Sequence, residues 1–230
     1  MIFHHLPVLQ ILIPLLAAPL AMLMRTPFLS WALALVASWA SLVVSIALLL
    51  RVLAEGVVVY ELGDWAAPWG IEYRIDALNG FVLIIISVIG ALVVPYAKRI
   101  VEVEVQGRRI YLFYTMLLLC MSGLLGITIT GDAFNLFVFL EISSLSTYVL
   151  ISLGNDRRAL TAAYRYLIVG TIGATFYIIG VGLLYMSTGS LNITDLARLV
   201  PALFDSRTVQ AAMGLLILGL SINAAVFPLH

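Results

Sequence analysis

The sequence predicts an all-α integral membrane fold of about seven transmembrane helices, with a short external β-hairpin between helices 2 and 3 and a broken helix 7. Three observations carry this reading. Of 230 residues, 63% are hydrophobic and 10% charged, whereas soluble domains run near half apolar and a quarter charged. Mean hydropathy is +1.13. Apolar runs of about 20 residues, the length a helix needs to cross a bilayer core of about 30 Å, follow one another along the chain. Such runs must satisfy their own backbone hydrogen bonds in lipid, and they lack the alternation of barrel strands, so helices are the consistent choice.

The first span is read over residues 6–24. The opening MIFHHLPVLQILIPLLAAPLAML lacks a basic leader and a small-residue cleavage site, so it is read as retained. Further spans follow over 28–50, 77–96, 110–130, 134–153, 164–186 and 209–229. The odd-numbered connections hold Arg25, Lys98, Arg99, Arg108, Arg109, Arg157, Arg158 and Arg165, eight of the 12 basic residues; the even ones hold Arg51, Arg74, Arg198 and Arg207. The positive-inside bias therefore predicts a multi-pass protein of the cytoplasmic membrane with its N-terminus outside and its C-terminus cytoplasmic.

Between the second and third spans, runs around Val57–Leu62 and Ile71–Ile75 are separated by Gly63, Asp64, Pro68 and Gly70, which reads as a hairpin. Trp65, Trp69 and Tyr73 on it suit the headgroup region. After the sixth span, Leu191, Ile193, Leu196 and Leu199 among polar residues, with Asn192 or Thr194 as cap, predict a short helix lying along the outer face. Ser122, Gly126 and Thr130 in the fourth span, and Gly170, Gly173, Ala174 and Tyr177 in the sixth, form small-residue faces that let helix backbones approach. The lone Cys120 excludes an internal disulfide and reads as a packed small residue.

Only one ionisable side chain falls deep in a predicted span, Glu141. An acid there costs about 2.5–3.5 kcal/mol on insertion scales, and intramembrane acids default to a functional reading. Ser144 and Tyr148 share its helical face and offer hydroxyls to a carboxyl or to water beside it. Burial disfavours the charged form of a carboxyl and a nearby cation favours it, so Glu141 with a moving cationic partner is suited to relay protons. The competing reading is a structural hydrogen-bonding group satisfied by a neighbouring subunit. In the seventh span Asn223 lies mid-membrane, and Pro228 removes a backbone hydrogen bond near the inner end, predicting the helix break. Asn223 reads equally as interhelical glue, and His230 as a proton carrier or a solvated end. His4 and His5 have no metal-ligand spacing. With no phosphate-binding glycine loop, nucleophile constellation or cysteine cluster, neither enzymatic chemistry nor a cofactor or metal is expected; zero net charge gives no reason to expect nucleic acid.

Three stretches, LGDWAAPWGIEYRIDALNGF, TGDAFNLFVFLEISSLSTYVL and AAYRYLIVGTIGATFYIIGVGLLYMSTGSLNITDLA, together with the final AAVFPLH, carry a wider resemblance. The chain resembles the antiporter-like membrane subunits of respiratory complex I, multisubunit Mrp cation/proton antiporters and membrane-bound hydrogenases, most nearly the Mrp D-type subunit. The resemblance implies three peripheral helices over residues 1–109, then the start of an antiporter-type repeat over 110–230 whose inverted copy comes later. It implies that Glu141 is a key charged residue of a half-channel also lined by Ser144, Tyr148, Asn223 and His230. The implied partners are other membrane subunits, protons and Na+. Two departures stand out. The family has a lysine where Asn223 stands, whereas Lys98, outside the membrane core, is the chain's sole lysine. The family also continues beyond PLH, so the chain corresponds to a front half. The alternatives are a subunit of a redox-driven pump and a scaffold that does not conduct.

Overall fold

The computed structural model describes residues 2–105 and 107–224. Eight α-helices and one hairpin follow in the order α1 (Leu6–Met24), α2 (Pro27–Glu55), β1 (Val58–Glu61), β2 (Glu72–Ile75), α3 (Ala77–Glu104), α4 (Ile110–Ile129), α5 (Ala133–Ser152), α6 (Arg157–Thr188), α7 (Ile193–Leu199) and α8 (Arg207–Asn223). Among the described residues six helices, α1 to α6, are long and apolar enough to cross a membrane. The seventh span expected from sequence is α8, which is described over 17 residues; Pro228 and His230 lie outside the described residues.

The faces of α2 are sorted in the reverse of a water-soluble bundle. On α2 the buried side is Ser30, Ala34, Ala37, Ser38, Ser41, Ser45, Leu48 and Val52, while Val36, Val43, Leu50 and Leu53 are each more than 60% exposed. Lipid makes this arrangement stable. Leucine gains little by leaving an apolar solvent, whereas small residues gain close packing and hydroxyls gain partners. The serine hydroxyls bond back to carbonyls one turn earlier, as Ser41 does to Ala37 and Ser45 to Ser41, both at 2.9 Å.

Helix α1 packs between α2 and α4, α2 against α3, and α3 against α4; the chain then continues sideways through α4–α5, α5–α6 and α6–α8 contacts. A buried polar knot ties the first three helices. The Gln10 amide donates to Ser45 Oγ at 2.7 Å and to Ser87 Oγ at 3.4 Å, and the two serine hydroxyls lie 2.7 Å apart. The α6–α8 contact rests on glycine: a methyl at Gly219 would stand 2.6 Å from the Gly173 carbonyl oxygen and 2.7 Å from the Tyr177 nitrogen.

Several helices extend beyond their hydropathy windows. At 1.5 Å per residue the 28 residues of α3 span about 42 Å, so its last charged turn projects past a core of about 30 Å. The hairpin is antiparallel, with Val58 opposite Ile75 and Tyr60 opposite Tyr73. Trp65 and Trp69 are 67% and 87% exposed, whereas Tyr73 is buried. Its strand faces the bundle and forms a bridge to Thr130 at the end of α4, and its ring packs in the core there. The short helix after the sixth span is α7, capped by Asn192, which accepts from the Asp195 amide at 3.1 Å.

Candidate functional site

Helix α5 is fixed at its start by a junction of loops. Asp132 caps it, accepting from the Asn135 amide at 2.7 Å. On one side the Gly131 amide donates to the Glu72 carbonyl of the hairpin at 2.9 Å; on the other the Ala133 amide donates to Leu191 and the Ile193 amide to Gly131, both at 2.8 Å. Asn135 also donates to Thr130 Oγ1 at 3.0 Å, and the Tyr177 hydroxyl of α6 donates to the Ala133 carbonyl at 3.1 Å. Thr130, Asp132, Asn135 and Asn192 are all buried. Burial pushes the Asp132 carboxyl up from its ordinary 3.8, against the capping amides of Asn135 and Phe134, which favour the charged form.

From this anchor, Glu141 stands nine residues beyond the cap, about 13 Å into the helix. Two opposite faces of α5 then do different work. Phe139, Ser143 and Thr147 turn to α4: Phe139 covers Gly126, Ser143 covers Gly123, and the Thr147 hydroxyl lies 3.4 Å from the Cys120 thiol. Glu141, Ser144 and Tyr148 occupy the other face, as their spacing predicts. Glu141 and Ser144 are half-buried and Tyr148 is buried. Among the described residues no hydrogen bond or ion pair holds the Glu141 carboxyl. The Tyr148 phenol has Ser144, Tyr166 and Glu141 as its electrostatic neighbours, and its ring meets that of Tyr166 edge to face at 4.8 Å.

Gly170 receives Tyr148 on α6. A methyl at that glycine would fall on the Tyr148 hydroxyl, so only a residue without Cβ leaves room for the phenol. One turn along, Gly173 is covered by Ile222 near the end of α8. Tyr148 and that end of α8 therefore reach α6 on adjacent faces, about 4.5 Å apart along its axis. Asn223 is the last residue of α8 and is half-buried; no hydrogen bond joins it to Glu141 among the described residues. Pro228 and His230, the remaining expected members of the site, lie outside the described residues. The junction around Asp132 escaped the sequence reading, although the acid followed three residues later by Asn135 is a visible capping signal. His5 was also missed as a tie: its Nδ1 lies 2.9 Å from the Tyr60 hydroxyl, joining the start of α1 to the hairpin.

Residues 130–230 match the family model described as NADH:quinone oxidoreductase/Mrp antiporter, TM. The chain belongs to this family. It is 44% identical over 98% of its length to a protein of Desulforudis audaxviator named NADH-quinone oxidoreductase subunit N, covering 45% of that protein. It is 32% identical over 97% of its length to the D-type subunit of the Na(+)/H(+) antiporter of Bacillus subtilis, again covering 45%. Among solved structures, a chain of the archaeal membrane-bound sulfane sulfur reductase superposes with a TM-score of 0.88 at 29% identity, covering 97% of this chain and 46% of that one. The chain thus spans about half the length of the curated relatives it matches. The match is to membrane subunits of both antiporters and respiratory complexes, and it begins at the turn that anchors the Glu141 helix.

Proposed function

We propose that this chain supplies a proton-translocating half-channel to a multisubunit membrane complex, with Glu141 as the group that takes up and releases the proton. The carrying observation is the placement of a carboxyl without a hydrogen-bond partner among the described residues, midway along a membrane-length helix, in line with Ser144 and the phenol of Tyr148. A carboxyl in that position is costly in lipid, and hydroxyls along one helical face can hold water that delivers protons. Asn223, at the end of α8, extends the lining, and His230, outside the described residues, is included from the sequence alone. Residues 1–109 form the peripheral three-helix unit with its hairpin, and 110–230 begin the antiporter-type repeat. The basic odd connections face the cytoplasm, with the N-terminus outside. The chain is an ion-transport subunit without catalytic chemistry of its own.

The parent complex is a cation/proton antiporter of the Mrp type, in which Na+ exchanges for protons alongside other membrane subunits. The 44% identity to a protein named NADH-quinone oxidoreductase subunit N favours a second reading, in which the same half-channel serves a redox-driven pump. Asn223 in place of a lysine bears on both, since no cation at that position then opposes Glu141; a scaffold that does not conduct is the outcome if that loss is decisive. The test is Glu141→Gln in the assembled complex. Proton movement abolished with assembly intact supports the relay, and unchanged transport refutes it. Na+-dependent exchange without an electron donor selects the antiporter, and transport that requires one selects the redox-driven pump.

A further inference from the structure

Away from the Glu141 face, two cavities are lined by residues of α2, α3 and α4. The first is an apolar groove of about 160 Å3 lined chiefly by Ile86, Gly90, Val93 and Val94 of α3 with Leu117 and Met121 of α4. The second, of about 210 Å3, lies at the end of the bundle carrying the α1–α2 and α3–α4 connections, and Trp31, Lys98, Glu102 and Tyr114 line it. One hydrogen bond links their linings: Val94 lines the groove, and its carbonyl accepts from the indole of Trp31, which lines the second cavity, at 3.2 Å. Along α3 the lining residues Ile86, Gly90, Val94, Lys98 and Glu102 recur every fourth residue, a stripe that winds around the helix by about 40° per step. From Ile86 to Glu102 this stripe rises about 24 Å, long enough for the acyl and headgroup layers of one leaflet of a bilayer whose hydrocarbon core is about 30 Å.

From this geometry we infer that the α3–α4 face holds a phospholipid, its acyl chain in the groove and its phosphate at Lys98. Chemistry along the face changes where a lipid's does. The groove is apolar up to Val94; then come an indole, of the kind that anchors at headgroup level, and the chain's sole lysine. The Lys98 ammonium lies 4.0 Å from the centroid of the Trp31 ring and 5.3 Å from that of Phe28. Stacking there holds the cation at the cavity while leaving its N–H donors free to meet an anion. Arg25, Arg99 and Arg109 are exposed within two residues of lining positions. Among the described side chains, they and Lys98 set four positive charges against Glu102 and Glu104. That balance suits a headgroup of net negative charge, and the Glu102 carboxylate in the lining disfavours one with several. Phosphatidylglycerol meets both conditions.

The experiment compares the assembled complex in phosphatidylglycerol and in phosphatidylcholine, counting the lipid that remains on this chain after detergent washing, by native mass spectrometry. Wild type should keep one phosphatidylglycerol and no phosphatidylcholine. Lys98→Gln should lower retention about fivefold, the loss expected for one basic contact to an anionic lipid. Gly90→Leu should also lower it, because a side chain there enters the groove, where Met121 Sδ stands 2.9 Å from the position of a Cβ. Arg74→Gln, on the hairpin, should leave retention unchanged. Equal retention of the two lipids, or equal retention by wild type and Lys98→Gln, overturns the site. So does a loss in Arg74→Gln matching that in Lys98→Gln, which would mark generic charge attraction.

Discussion

Seating Tyr148 over Gly170 makes the α5–α6 contact testable at the level of a single methyl. In Gly170→Ala the new Cβ would coincide with the Tyr148 hydroxyl, and the phenol carbon Cζ would be 2.8 Å away. Neither helix can absorb this by a small rotation, because Tyr148 is buried and its ring is held against Tyr166. Overpacking of this kind costs about 1–3 kcal/mol, a fall of about fivefold to 150-fold in the folded ratio. Tyr148→Phe removes the colliding oxygen and forfeits at most about 1.5 kcal/mol of hydrogen bonding. In that background Gly170→Ala meets only the ring edge, so its cost should shrink by about 1 kcal/mol or more. Equilibrium unfolding of the four proteins in mixed micelles measures the cycle. Additivity within about 0.5 kcal/mol would mean that the two residues do not touch, and the seating would be refuted. Because the same phenol lies beside Ser144 and Glu141, Gly170→Ala should also slow transport by the assembled complex.

Two further perturbations read other parts of the fold. Asp132 is held above its ordinary 3.8 by burial, so between that value and its raised native one the folded chain keeps a proton that the unfolded chain has lost. Stability should then fall as pH rises through this window; Asp132→Asn, which still caps, should lack that slope, and melting curves from about pH 3 to 7 that show the opposite trend would refute the assignment. Gln10 is fully buried with its Oε1 unpartnered, while Ser45 and Ser87 retain each other and, through Ser45, the Ser41 carbonyl at 2.9 Å. Gln10→Leu should therefore leave stability unchanged or raise it by about 1 kcal/mol, since the desolvated acceptor goes with the side chain. A loss above about 2 kcal/mol in the same unfolding assay would show that Oε1 has a partner.

Features that lipid imposes locally can be read from the amino-acid sequence alone. A span must satisfy its own backbone and present an apolar surface, so α1 to α6 are legible from windows of about 20 residues. The hairpin is legible from its glycine and proline punctuation, and the shared face of Glu141, Ser144 and Tyr148 from helical geometry alone. Tertiary structure decided which helices meet. Gln10 finds Ser45 and Ser87 across separations of 35 and 77 residues, Tyr148 finds Gly170, Tyr73 turns inward to Thr130, and Lys98 settles on Trp31. None of these pairings leaves a periodic mark, because within a membrane helices are not sorted by hydrophobicity. They are sorted by small residues that permit approach and by hydrogen bonds between distant positions, and only the assembled fold specifies those partners.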